Sequence, residues 1–159
     1  MRLLPLALVA LAACADSPPP ATDTADAAGA EVLDENAIAF RDAFVRAAPA
    51  GGTSAAYLQI ENGTDTADTL VAIRTDAADR TEVHQTGEAD GLRTMDPVEG
   101  GLPVGSGQTV ILEPGGLHVM LLDLQRDLSP GDSLLLELDF AGRGTLTSRV
   151  PVRGLGPDA

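Results

Sequence analysis

Four side chains in this sequence combine soft and imidazole ligand chemistry: His84, Met95, His118 and Met120. Besides them there is no other His, the one remaining Met is the first residue, and the single Cys is Cys14. Thioethers are poor ligands for hard ions and weak ones for Zn²⁺, whereas Cu(I) accepts thioether and imidazole together. Because a blue-copper centre needs a Cys thiolate, this set favours a Cu(I) carrier over an electron-transfer site.

The spacing of these residues predicts one shared site. His118 and Met120 are two apart on a predicted strand, so both side chains lie on the same face. His84 ends one predicted strand and Met95 closes another, which places both at one rim of the fold. Taken singly, a Met in a β-rich chain is more often core filler and a His at a strand end more often a surface residue. The hypothesis of a site depends on all four occurring together.

Short β-type runs alternate with Gly, Pro and Asn-Gly turns at intervals of about ten residues. The runs are Ala43–Arg46, Ala56–Ile60, Thr69–Ile73, Thr81–His84, Leu92–Met95, Thr109–Leu112, Leu117–Leu122, Leu134–Phe140 and Thr145–Val152. Asp34–Ala48 is the one helix candidate, although its second half favours a strand. Eight or nine strands with this spacing predict an all-β antiparallel sandwich or barrel.

The N-terminal segment predicts export and a lipid anchor. Residues 1–14 combine a basic start, a short apolar run and small residues before Cys14, the pattern of a bacterial lipobox, in which the thiol is lipidated. An ordinary cleaved signal with an incidental Cys is the alternative. Residues 15–30 are small, acidic and Pro-rich, which predicts a disordered tether. Residues 31–153 form the predicted single domain, and residues 154–159 a short tail.

The chain carries 24 acidic and 10 basic residues, a net charge of −14, and every basic residue is Arg. Such a surface repels nucleic acid and anionic lipid, so neither is expected as a ligand. A solubility role explains the acidity more simply than cation capture. No Ser-His-Asp arrangement stands out, and both histidines belong to the metal motif, so we expect no enzyme.

At these residues the chain resembles the PCu(A)C periplasmic copper chaperones, whose signature is His, ten residues, Met, slightly more than twenty residues, then His-x-Met. Ten residues separate His84 from Met95, and 22 separate Met95 from His118. The resemblance extends from about Ile38 to Val152. Flanking segments that fit are Ala43–Pro49, Ala56–Asn62, Glu82–His84, Met95–Gly101 and Leu112–Leu121.

The resemblance implies an antiparallel Greek-key β-sandwich of cupredoxin-like or immunoglobulin-like type, with one Cu(I) bound by His84, Met95, His118 and Met120. It also implies delivery of copper to cytochrome c oxidase, directly or through a second membrane-anchored chaperone. We expect an extracytoplasmic, lipid-anchored monomer. Unlike many members, this chain has no additional Met near the site and no His/Met-rich tail, so a Cu(II) role is unsupported. A periplasmic copper buffer or resistance protein, or a non-metal interaction module, are the alternatives.

Overall fold

The computed structural model describes residues 37–89 and 91–154, and in this part of the chain it contains ten strands and no helix. The strands are β1 Ile38–Arg46, β2 Ser54–Asn62, β3 Asp68–Arg74, β4 Ala78–Ala89, β5 Leu92–Pro97, β6 Leu102–Val104, β7 Thr109–Leu112, β8 Leu117–Leu124, β9 Ser133–Phe140 and β10 Gly144–Arg153. Cys14, the predicted tether 15–30 and residues 155–159 lie outside the described residues. Residues 37–89 and 91–154 contain no helical segment that could span a lipid bilayer.

The strands form one hydrogen-bonded sheet in the order β5-β4-β8-β7-β2-β1-β10-β9-β3-β6. It divides into two layers, β5 to β1 and β10 to β6, which meet where β1 pairs in parallel with β10 at Val45 and Val152. This confirms the predicted all-β sandwich. Most pairs are antiparallel, and the structure adds two short parallel pairs, β1 with β10 and β7 with β8.

Apolar side chains from both layers fill the space between them. On β9 they alternate with exposed residues, as expected for a strand with one buried face. Replacing such a buried Leu with Ala typically costs about 2–5 kcal/mol, so the core holds the sheet to its register. The largest fully buried residues are Leu58, Ile60, Leu70, Leu121, Leu128, Leu134, Leu136, Leu138, Val45, Val104, Val119 and Val150.

The helix candidate is wrong over Ile38–Asp42, whereas the strand predicted at Ala43–Arg46 is confirmed. Both parts belong to β1, which contains a β-bulge. Between Arg41 and Phe44 the pairing with β2 shifts by one residue, and Asp42 has a φ of 50°. Ile38 packs in the core before the bulge, and Val45 does so after it. The bulge therefore reverses the alternation of the strand, which explains its mixed periodicity.

One strand end near the candidate site and one additional strand also differ from expectation. β4 does not end at His84 but continues to Ala89, because residues 84–89 pair with β5 in a hairpin. His84 nevertheless lies near the end of the pairing between β4 and β8, where the hairpin leaves the body of the sheet. The strand β6 was not predicted, since a three-residue Leu-Pro-Val segment carries too little pattern.

Candidate metal site

All four predicted ligands lie on the outer face of one layer. His84 is directly opposite His118 in the pairing of β4 with β8. Met95 is opposite Thr86, two residues after His84, and Met120 is two residues after His118. Because opposed residues, and residues two apart on a strand, share a face, the register brings the four side chains to one side of the sheet.

A groove of about 570 Å³ runs beside these residues. Met95, His118 and Met120 line it, together with Ala55 and Tyr57 of β2, whereas His84 does not contribute to its walls. Met95 is 59% exposed and His118 only 4%. The groove therefore combines one solvent-facing thioether with a deeply set imidazole.

His118 is oriented by the turn that precedes it. Its Nδ1–H donates a hydrogen bond of 3.1 Å to the carbonyl oxygen of Gly116, which also accepts the backbone N–H of Thr86 at 3.1 Å. Gly115, at a φ of 85°, makes this tight turn possible. Because a carbonyl can only accept, Nδ1 carries the proton, and in the neutral ring Nε2 keeps the lone pair that a metal would use.

His84 is fixed in the opposite tautomer. Its Nε2 lies 2.8 Å from a carboxylate oxygen of Glu82, and this bond holds the pKa of Glu82 below its ordinary value. An ionised carboxylate only accepts, so Nε2 is protonated and Nδ1 bears the lone pair. That Nδ1 is buried and has no hydrogen-bond partner among the described residues. An unpartnered buried nitrogen is costly unless a ligand satisfies it.

The separation of the two rings suits one shared ion. Their centroids are 6.1 Å apart, with planes inclined by 44°. An imidazole–metal bond is about 2.0–2.1 Å and the centroid lies roughly 1 Å behind the nitrogen, so two rings on one ion reach about 6 Å. Across residues 37–89 and 91–154, no three His, Cys, Asp or Glu side chains are grouped so that they could hold a metal. The two histidines and two methionines are therefore the candidate metal ligands among the described residues.

Aromatic rings continue from the imidazoles across the same face. Tyr57 lies beside His118 with a centroid distance of 6.5 Å, and Phe44 lies beside Tyr57 at 5.0 Å. The guanidinium carbon of Arg153 lies 4.8 Å from the centroid of Phe44. We call His84, His118, Tyr57, Phe44 and Arg153 the ring row. It supports the buried side of His118 with rigid apolar surface.

The structure therefore places the four predicted ligands on one face, with three of them on one groove. Their role as ligands remains a prediction. The four-ligand motif does not include Glu82, which bonds to His84, although its position two residues before that histidine was the available signal. Tyr57 and Phe44 were not predicted at the site, because their approach depends on the register of β1 and β2.

Several solved structures share this architecture. The copper-bound PCuAC domain from PmoF2 superposes with a TM-score of 0.61 at 22% identity, over 74% of this chain and 92% of that domain. Apo-DR1885 from Deinococcus radiodurans gives 0.57 at 26% identity, over 92% of this chain and 97% of that one. The Cu(I) form of DR1885 gives 0.56 at 27% identity, over 79% and 83%. The protein is accordingly a β-sandwich with the fold of PCuAC domains.

The family follows from sequence similarity. Residues 38–152 match the family described as "Putative lipoprotein LpqE-like", which is more than half of the chain. The chain belongs to this LpqE-like family. "Putative lipoprotein Lxx21020" of Leifsonia xyli subsp. xyli (strain CTCB07) is 35% identical over 112 residues. That alignment covers 70% of this chain and 66% of the relative, slightly less than two thirds of its length.

Proposed function

We propose that this protein is an extracytoplasmic, lipid-anchored Cu(I) chaperone that binds one ion through His84, Met95, His118 and Met120. The observation that carries the proposal is the buried Nδ1 of His84, which has no partner among the described residues and belongs to a ring 6.1 Å from that of His118. Two neutral imidazoles and two thioethers are the donors that Cu(I) prefers.

The relatives support copper as the cargo. One solved neighbour is described as copper-bound and another as a Cu(I) form, and the latter is 27% identical to this chain. A family described as lipoproteins supports the anchor at Cys14. Delivery to cytochrome c oxidase, directly or through a membrane-anchored chaperone, is the finer part of the proposal and depends on the resemblance of the His-Met signature.

The ligand set is tested by loading the purified protein with Cu(I) and titrating it with a competing chelator. We expect one ion per chain. Met120→Leu and Met95→Leu should each weaken binding by at least tenfold, because Leu nearly preserves the apolar volume but cannot coordinate. X-ray absorption of the loaded protein should show both sulfur and nitrogen neighbours.

Leu122→Ile is the matched control, since it alters an apolar side chain on the same strand and face without removing a donor. A Cu(I) stoichiometry well below one ion per chain, or Cu(I) binding by Met120→Leu as tight as that of wild type, would contradict the ligand assignment. Delivery is tested separately with copper-free cytochrome c oxidase. A protein that binds Cu(I) but withholds it from the oxidase would be a buffer instead of a chaperone.

A further inference from the structure

Arginine supplies all ten Lys or Arg positions of the chain. Most of the arginines in residues 37–89 and 91–154 form ion pairs with neighbouring carboxylates. Of the nine arginines in the described residues, five form ion pairs. Those five are Arg41, Arg74, Arg80, Arg126 and Arg143. Arg46, Arg93, Arg149 and Arg153 have no described carboxylate within 4.0 Å, so their charge remains available.

Two of these four arginines line the groove beside the candidate metal site, and a third is the strand neighbour of one of them. Arg46 and Arg93 line the groove with Met95 and Met120. Arg153 is opposite Arg46 in the pairing of β1 with β10 and belongs to the ring row. None of the described groove-lining residues is Asp or Glu, in a chain that has 24 acidic residues. Glu88 is opposite Arg93 in the hairpin but makes no ion pair with it within 4.0 Å.

The groove itself suits a chain segment better than a small anion. Its volume of about 570 Å³ exceeds what one small anion fills, and its walls combine two arginines with apolar side chains such as Ala48, Pro49 and Pro114. Met95 is the exposed donor in it. A partner that takes copper by ligand exchange must therefore approach across this surface.

We infer that Arg46, Arg93 and Arg153 form the docking surface for an acidic segment of the protein that receives the metal, an inference that rests on the proposed function. A net charge of −14 repels an acidic partner over most of the surface. At the groove, the positive charges of Arg46 and Arg93 would instead attract an acidic segment. Charge complementarity of this kind orients an encounter and raises its rate more than its affinity, which suits a transfer complex that must separate again.

The test measures binding of a short dye-labelled peptide of alternating Asp and Ala, and of its Lys counterpart, to the copper-free full-length protein in non-ionic detergent. We expect binding of the Asp peptide at low salt, loss of it as salt rises, and no binding of the Lys peptide. Arg46→Glu and Arg93→Glu should each weaken it by about threefold or more.

Arg149→Glu is the matched control, because it makes the same change in net charge at an unpaired arginine on β10, away from the groove. Arg93→Gln, with thermal unfolding of every variant, guards against misfolding and should give a smaller loss. Equal weakening by Arg149→Glu, or none by Arg46→Glu and Arg93→Glu, overturns the inference. So does binding to phosphatidylglycerol vesicles that Arg93→Glu abolishes, which would assign the surface to lipid.

The same variants separate this inference from the proposed function, since peptide binding is measured without copper. Wild-type protein that binds the Asp peptide but no Cu(I) contradicts the metal assignment. Wild-type protein that binds Cu(I), with peptide binding indifferent to Arg46 and Arg93, contradicts the docking surface alone.

Discussion

The two candidate imidazoles are prepared in different tautomers before any ion arrives. A backbone carbonyl fixes the proton of His118 on Nδ1, and a carboxylate fixes that of His84 on Nε2. The free nitrogens are therefore Nε2 of His118 and Nδ1 of His84. Because the rings are already oriented, binding loses less side-chain freedom than it would with mobile histidines. Glu82 is in this sense a positioning residue for the site.

Replacing Glu82 with Leu should weaken Cu(I) binding by about 10–100-fold, the usual effect of removing a carboxylate that orients a histidine ligand. The ring of His84 would then be free to change tautomer and rotate. The measurement is competition with a Cu(I) chelator at neutral pH. Glu99→Leu, in an exposed turn after β5, removes the same group elsewhere and should leave the affinity unchanged. An equal loss in both variants would point to net charge as the cause.

The bond between Glu82 and His84 also predicts a pH dependence of stability. The hydrogen bond with His84 is the main cause that lowers the pKa of the Glu82 carboxyl from 4.5. The charge of Arg80 lowers it by a smaller amount. A depressed carboxyl pKa adds stability that is present above the unfolded-state pKa and is lost as pH falls through the lower folded-state value. Thermal unfolding should thus separate wild type from Glu82→Gln at pH 6. The difference should shrink as pH falls below 4.5 and vanish once pH is below the lower folded-state pKa. A difference that grows on acidification would contradict this assignment.

At the scale of elements, the bulge in β1 brings the ring row together. Without its extra residue the strand would keep one alternation, and Phe44 would face the core as Ile38 does. With it, Phe44 lies against Tyr57, which in turn lies beside His118. The one-residue bulge in β1 thus extends the apolar support of the candidate metal site.

Asp42 occupies the left-handed conformation in that bulge, with a φ of 50°, and its carboxylate accepts a hydrogen bond of 2.9 Å from the side-chain amide of Gln59. Asp42→Gly and Asp42→Ala both remove that bond, but only Ala keeps the Cβ that is strained at positive φ. We expect Asp42→Ala to be less stable than Asp42→Gly by about 1 kcal/mol, measured by urea unfolding. Equal stability would show that the bulge relaxes.

Much of this arrangement follows from local pattern, and part of it does not. Period-two alternation places His118 and Met120 on one face with no knowledge of the fold. The neighbouring position of His84 depends on the pairing of β4 with β8, which joins residues far apart in sequence. The bulge escaped prediction because nothing in Arg41–Phe44 marks it: a Gly would have signalled positive φ, but Asp42 is there. Mixed periodicity then resembled a helix.

At the scale of the whole molecule, the net charge and the N-terminal segment both bear on how the protein would be attached to a membrane. The acidic composition favours solubility and disfavours binding to anionic lipid, so the proposed membrane attachment would depend on a covalent anchor and not on the surface of the domain. In the proposed arrangement, the acidic, Pro-rich residues 15–30 are the linker between that anchor and the domain. Cys14 is therefore the residue on which the proposed anchoring depends.

Cys14→Ser should release the protein from the membrane. Lipidation needs the thiol, so in the native bacterium the variant should move from the detergent-rich to the aqueous phase on Triton X-114 partitioning, whereas wild type stays in the detergent phase. Ser17→Ala, in the same segment, is the control and should partition as wild type does. Purified Cys14→Ser protein should bind Cu(I) with unchanged affinity, because the four proposed ligands all lie in the sandwich. Wild-type protein found wholly in the aqueous phase would show an ordinary cleaved signal. In that case copper would be carried through the periplasm by diffusion, and the segment 15–30 would have no anchor to extend.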